Sequence, residues 1–230
     1  MARARKRHVQ IELEWHPRGG RRKGAGRKRI GPRKRVPHTK RPPLKKTTPA
    51  HVTLRVVDEV ARLRRRDAFK AVRRAMQKSH ERKNFRIVHL SLQGNHIHVV
   101  CEADDRLALS RGIQGFKISA AKKLNKARCR DGEVFADRYH EEILTTPSQV
   151  RNAIHYCLNN WRKHGEDRGA IDRVDPYSTG MWFDGWCDGT IHVPPDVETL
   201  EPARPTTWFL REGWKKAGPI SLFTTPSRRA

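Results

Sequence analysis

Acidic side chains are scarce in this chain of 230 residues: 24 Asp and Glu stand against 50 Lys and Arg, for a formal charge of +26. Long apolar runs are missing too. None approaches the ~20 residues that a bilayer-crossing helix needs, and the charged first residues carry no apolar stretch of a secretory signal. The four cysteines, Cys101, Cys129, Cys157 and Cys187, form no C-x-x-C pair, which excludes a structural zinc finger. There is no phosphate-cradling G-x-x-x-x-G-K-[ST] loop. A cytoplasmic, nucleoid-associated protein with reduced thiols is the expectation.

What is abundant is positive charge, unevenly placed. Residues 1–50 hold 18 Lys and Arg against two acids, residues 51–165 hold 24 against 12, and residues 166–230 hold eight against ten. The chain therefore reads as a basic arm (1–50), a basic central domain (51–165) and a near-neutral tail (166–230). A pI near 11.0 is the footprint of a nucleic-acid binder. An anionic membrane surface is the alternative, and the arm shows no strongly amphipathic basic helix to support it. Residues 16–49 are rich in Gly, Pro, Arg and Lys and are expected to be disordered when free. Within them Gly24-Ala25-Gly26-Arg27-Lys28 reads either as a minor-groove hook or as a flexible basic linker. Arg27 and Lys28 can neutralise phosphates in both cases.

Periodicity orders the central domain. Residues 51–57 have strand composition. A helix is predicted from Glu59 to about Glu81, capped by Asp58, with Val60, Leu63, Ala68, Val72, Ala75 and Met76 near helical spacing. Strands follow at Phe85–Leu92 and His96–Glu102 around the turn Gln93-Gly94-Asn95. A second helix spans about Leu107 to Lys126, and Arg138–Thr145 contains a fourth strand. Pro147 then opens a third helix, capped by Thr146 and closed by Gly165. The order β-α-β-β-α-β is the split βαβ, or ferredoxin-like, α+β arrangement with one helix appended. In the loop-rich tail Trp182, Trp186, Trp208 and Trp214 are expected to anchor the chain onto the domain, with a short helix near 208–217.

Two features carry chemistry. Strand side chains two apart point the same way, so His96 and His98 converge on one face while Ile97, Val99 and Cys101 face the other. His89 shares the histidine side if the hairpin is regular, as a strand residue or as a support for the pair. On the third helix Val150, Ile154, Cys157, Leu158 and Trp161 form the core stripe, while Tyr156 lies among Asn152, Asn159, Asn160 and Lys163. Helix geometry alone leaves Tyr156 open between a reactive and a surface residue. His155 and His164 point elsewhere on that helix.

These residues resemble the single-tyrosine HUH transposases, and among them the REP-associated tyrosine transposase-like group. His96-Ile97-His98 matches the HUH motif, and the segment from Tyr156 to Gly165 resembles the family's tyrosine helix. Trp161-Arg162 replaces its Pro-Val, and Gly94-Asn95 stands where Pro-Asn is common. The resemblance implies Tyr156 as nucleophile and His96, His98 and Asn160 as ligands of Mg²⁺ or Mn²⁺. It implies single-stranded or hairpin-flanked DNA as substrate, cut to a 5′-phosphotyrosine and a free 3′-OH, then rejoined without ATP. A phenol, near pKa 10 in water, needs the metal, a base or a cation such as Lys163. Arg65, Arg66 and Arg73 on the first helix and Lys117, Lys122 and Lys123 on the second would track phosphates. A monomer and a homodimer remain equally open. So do a rolling-circle initiator or relaxase, which shares the chemistry, and a non-catalytic nucleic-acid-binding protein. Asparagines at i+3 and i+4 from Tyr156, where initiators often carry a second tyrosine, favour the transposase.

Overall fold

The computed structural model describes residues 41–167, 173–189, 191 and 197–226, all within one compact unit spanning 35–230. Arg27 and Lys28 lie outside the described residues. Four strands form an antiparallel sheet in the order β2-β3-β1-β4: β1 (Ala50–Arg55), β2 (Phe85–Leu92), β3 (His96–Ala103) and β4 (His140–Ile143). Helices α1 (Arg66–Ser79) and α2 (Arg106–Ala127) cover one face, and α3 (Pro147–Lys163) covers the other. This is the expected split βαβ sheet with a third helix added.

Alternation along β3 sorts the two cores. Ile97, Val99 and Cys101 pack under α1 and α2, together with Leu109, Ile113, Phe116, Ala120 and Leu124 of α2. Val100 packs with Val150, Ile154, Cys157 and Leu158 of α3. On the first face α2 lies so close to the sheet that a Cβ on Gly112 would sit 2.2 Å from the Phe85 ring. The close approach needs a glycine there.

The first helix starts later than its apolar spacing suggests. A 3₁₀ turn at Asp58–Val60 is followed by Arg62 at φ 68°, and α1 begins only at Arg66. The Leu63 amide donates to the Gly94 carbonyl of the β2–β3 turn at 2.9 Å. Val60 and Leu63 are fully buried all the same, from a 3₁₀ turn and a loop rather than an α-helix. Asp58 therefore caps no α-helix. The third helix keeps its expected start: the Thr146 side chain accepts from the Gln149 amide, with Gln149 reaching back to Thr146 in a reciprocal box.

Two tail anchors are corrected. Trp186 and Trp214 are buried against α3 with Phe183, Leu210, Ile220 and Leu222, whereas Trp182 and Trp208 are about half exposed. The expected short helix divides into α4 (Trp208–Arg211) and a 3₁₀ turn at Gly213–Ala217. The end of the basic arm is shorter on disorder than expected, because residues 41–49 join the domain: Leu44 is in the core and Arg41 pairs with Glu141 at 2.5 Å. α3 is thus held between the sheet and the tail, which buries polar residues on both of its sides.

Candidate active site

His96 and His98 leave β3 on the α3 side with near-parallel rings 6.2 Å apart. The Thr53 hydroxyl lies 3.3 Å from His98 Nδ1, and the Asn160 amide nitrogen lies 3.3 Å from His98 Nε2. His98 is almost fully buried. Burial pushes its pKa well below the ordinary histidine range, and the neighbouring His51, His96 and His164 push the same way. A neutral imidazole, the form that coordinates metals, is the result.

Tyr156 meets this pair from α3. Its ring stands edge-on to His98 at 5.1 Å between centroids, with Lys163 Nζ 5.4 Å from its own centroid. Tyr156 lies about two turns and Asn160 about one turn before Lys163, the last residue of α3, so the same helix delivers the phenol, the amide and the cation. They open into a cavity of about 1010 Å³, whose wall also includes Arg151, Asn152, His155 and His164.

The third ligand position can be tested on the donors present. Among the described residues no cluster of three or more His, Cys, Asp or Glu side chains is placed to hold a metal. Asn160 supplies what that set lacks. It is 1 % exposed, and its Oδ1 is buried with no hydrogen-bond partner. An amide reverses its two ends by a half-turn, which brings Oδ1 to the side facing His98 Nε2. Two imidazoles and an amide oxygen suit a divalent ion of the Mg²⁺ or Mn²⁺ kind.

Residues 46–159 match the model of the IS200-like transposases. Through this segment the chain belongs to the IS200-like transposase family. Among solved structures, a REP-associated tyrosine transposase bound to a REP hairpin is similar at 18% identity and a TM-score of 0.54. The match covers 75% of this chain and 100% of that one, and it is a likeness of fold. A candidate transposase of Deinococcus radiodurans R1 aligns at 10% identity and a TM-score of 0.34, over 58% of this chain and 97% of its own. No curated protein matches.

In this transposase the sequence-predicted residues fall into two groups. Tyr156, His96, His98, Asn160 and Lys163 line one cavity. Arg65, Arg66, Arg73, Lys117, Lys122 and Lys123 belong to the helices on the opposite face of the sheet and do not reach it. Three of these six are engaged within the protein, Arg65 through an ion pair with Asp67 at 3.4 Å. Arg73 Nε donates to the Thr199 carbonyl at 3.0 Å, and Lys117 Nζ donates to the Asp137 carbonyl at 3.1 Å over the Phe135 ring. Asn159 is turned away from Tyr156, donating to the Ser221 carbonyl at 2.8 Å. His155 and His164 both line the cavity, although their helix positions pointed elsewhere. His89 does share the histidine face, opposite Val100, but it is covered by Phe183 at 5.5 Å.

His51 is a cavity residue that sequence reasoning passed over. It lies 5.5 Å from His98 and 5.9 Å from Tyr156 between ring centroids. The β1–β4 register sets it opposite Glu142, and Thr53 opposite His140, so all four line the same cavity. His51 and Thr53 are two apart on a strand, the spacing that singled out His96 and His98. Only the pairing of β1 between β3 and β4 reveals that both pairs face one space.

Proposed function

We propose that this transposase cuts and rejoins single-stranded, hairpin-flanked DNA with Tyr156 as the nucleophile. The observation that carries the reading is the meeting of Tyr156, His98 and Asn160 in one cavity. The Tyr156 oxygen attacks a phosphorus in line, and the bond to the 3′ oxygen breaks. A 5′-phosphotyrosine and a 3′-OH result, with the phenol's proton passing in net terms to the 3′ oxygen. The covalent link conserves the phosphodiester's free energy, so a second 3′-OH can reverse the step and join new ends.

His96, His98 and Asn160 would hold Mg²⁺ or Mn²⁺. When bound, such an ion polarises the scissile phosphate and lowers the cost of charge building on its oxygens. Lys163 and Arg151 add positive charge to the cavity wall. The α3 backbone fixes Tyr156 against His98, so little orientational freedom is left to lose at the reaction. The exposed cations Arg65, Arg66 and Lys122, half-exposed Lys123, and Arg27 and Lys28 of the arm contact phosphates outside the cavity, giving a salt-dependent share of affinity. The reading places the protein on chromosomal DNA in the cytoplasm. Among the described residues no helix is long and apolar enough to cross a membrane.

The test is incubation with a hairpin oligonucleotide bearing single-stranded flanks, plus Mn²⁺, followed by denaturing electrophoresis. A protein–DNA adduct that survives detergent is expected. Binding of the hairpin without any adduct across a range of flank sequences would favour a non-catalytic binder.

A further inference from the structure

The segment 219–226 is strapped along α3 by side chains of that helix. Arg151 donates to the Pro219 carbonyl at 2.6 Å, and Arg162 Nε donates to the Leu222 carbonyl at 2.9 Å. Asn159 Nδ2 donates to the carbonyls of Ser221 at 2.8 Å and Thr224 at 3.1 Å. His155 Nε2 lies 2.9 Å from the Thr224 hydroxyl. Asn159 and Arg162 are 0 % and 8 % exposed. Burying such groups costs free energy that these bonds help to offset, so the strap is held firmly.

Its residues then divide by direction. Leu222 enters the core against α3, and Thr225 and Pro226 form part of the cavity wall. Phe223, between them, is 49% exposed. Two residues of chain span at most about 7 Å, so the Phe223 backbone lies that close to the backbone of the cavity-lining Thr225. A phenyl ring held in water at that rim contributes little to packing. The central domain offers few other aromatic rings for the strand that the cavity would receive.

We propose that Phe223 is a stacking platform for an unpaired nucleobase of the strand whose phosphate enters the cavity. This rests on the single-stranded DNA reading above. Arg151 and Lys163 in the cavity wall attract the phosphates, and the exposed Phe223, two residues along the strap from cavity-lining Thr225, offers the apolar face on which the adjoining base rests. Single-strand binders combine those two elements, and the contact tolerates any base because every base has a π-face.

The test compares fluorescence anisotropy of two probes with the full chain: a dT 20-mer, and a 20-mer of abasic sites that keeps the phosphates and loses the bases. Wild type is expected to prefer the dT probe. Phe223→Ala should weaken dT binding about tenfold while leaving the abasic probe unchanged. Phe223→Trp should restore dT affinity, and Phe223→Leu, which keeps apolar bulk without a ring, should not. Equal loss on both probes, or no loss on dT, overturns the platform. So does a wild-type chain that self-associates without DNA through contacts that Phe223→Ala abolishes. A wild type that binds neither probe overturns the single-strand reading as well, which separates that failure from one confined to the ring.

Discussion

The Tyr156 ring stands at 86° to the His98 imidazole, 5.1 Å away, with its edge presented to the group that Asn160 also meets. The ring contact accounts for packing, and the phenol oxygen is what a nucleophile adds to it. Tyr156→Phe keeps the ring and this packing and removes the oxygen. The expected result is full loss of the covalent adduct with unchanged affinity for hairpin DNA, measured by denaturing gel and by anisotropy. An adduct formed by Tyr156→Phe would assign the nucleophile elsewhere.

Asn160 carries the second prediction, through the oxygen it leaves unbonded. If that oxygen, His96 and His98 grip one ion, Mn²⁺ should stabilise the folded protein by mass action. At a hundredfold excess over Kd the gain is about 2.7 kcal/mol, read as a rise in Tm by calorimetry. Chelation should return Tm to its starting value. Asn160→Ala should shrink the gain, and His96→Ala with His98→Ala should abolish it. A wild-type Tm indifferent to Mn²⁺ and Mg²⁺ would sink this ligand set.

His89 makes acid stability predictable. Burial beneath Phe183 lowers its pKa from 6.5 to about 4. The unfolded chain therefore binds the proton first as pH falls. Stability is fully present above about 6.5 and is lost between there and about 4, by about 3 kcal/mol for this group. His155 and His80, also lowered by burial, add losses of the same sign. His89 Nδ1 is buried without a hydrogen-bond partner. His89→Leu should therefore match or exceed wild-type stability at neutral pH and flatten the decline between pH 6.5 and 4 in urea titrations. An unchanged slope would refute the assignment.

Such residues show which features are legible in a sequence. Val60 and Leu63 were identifiable as core from apolar spacing, although the backbone around them is a turn and a loop. Burial pattern survives a change of local structure, whereas the start of α1 was decided by a distant carbonyl, that of Gly94. The strand histidines and the tyrosine helix were legible because period 2 and period 3.6 fix which way each residue points. His51 was hidden because its role depends on which strands are neighbours. Asn159 was read as part of the polar side around Tyr156 and Arg162 only as a departure from the family's Pro-Val, since nothing in their spacing announces that a segment sixty residues later covers them.

Glu102 tests whether that cover is integral to the domain. Its carboxylate, 2% exposed, accepts from the backbone amides of Thr206 and Thr207 and from both hydroxyls, at 2.7–3.0 Å. Thr207 in turn caps α4, whose Leu210 joins Trp214 and Ile220 against α3. Glu102→Ala strands these buried donors and should cost about 3–5 kcal/mol in urea unfolding. Glu102→Gln keeps one acceptor oxygen but turns an NH₂ toward donors, so it should be destabilising by a smaller amount. Because the strap at 219–226 follows the same tail, loosening it should also free the Phe223 rim and lower affinity for single strands. A Glu102→Ala protein within 1 kcal/mol of wild type would mean that the tail's apolar contacts with α3 hold it without the carboxylate.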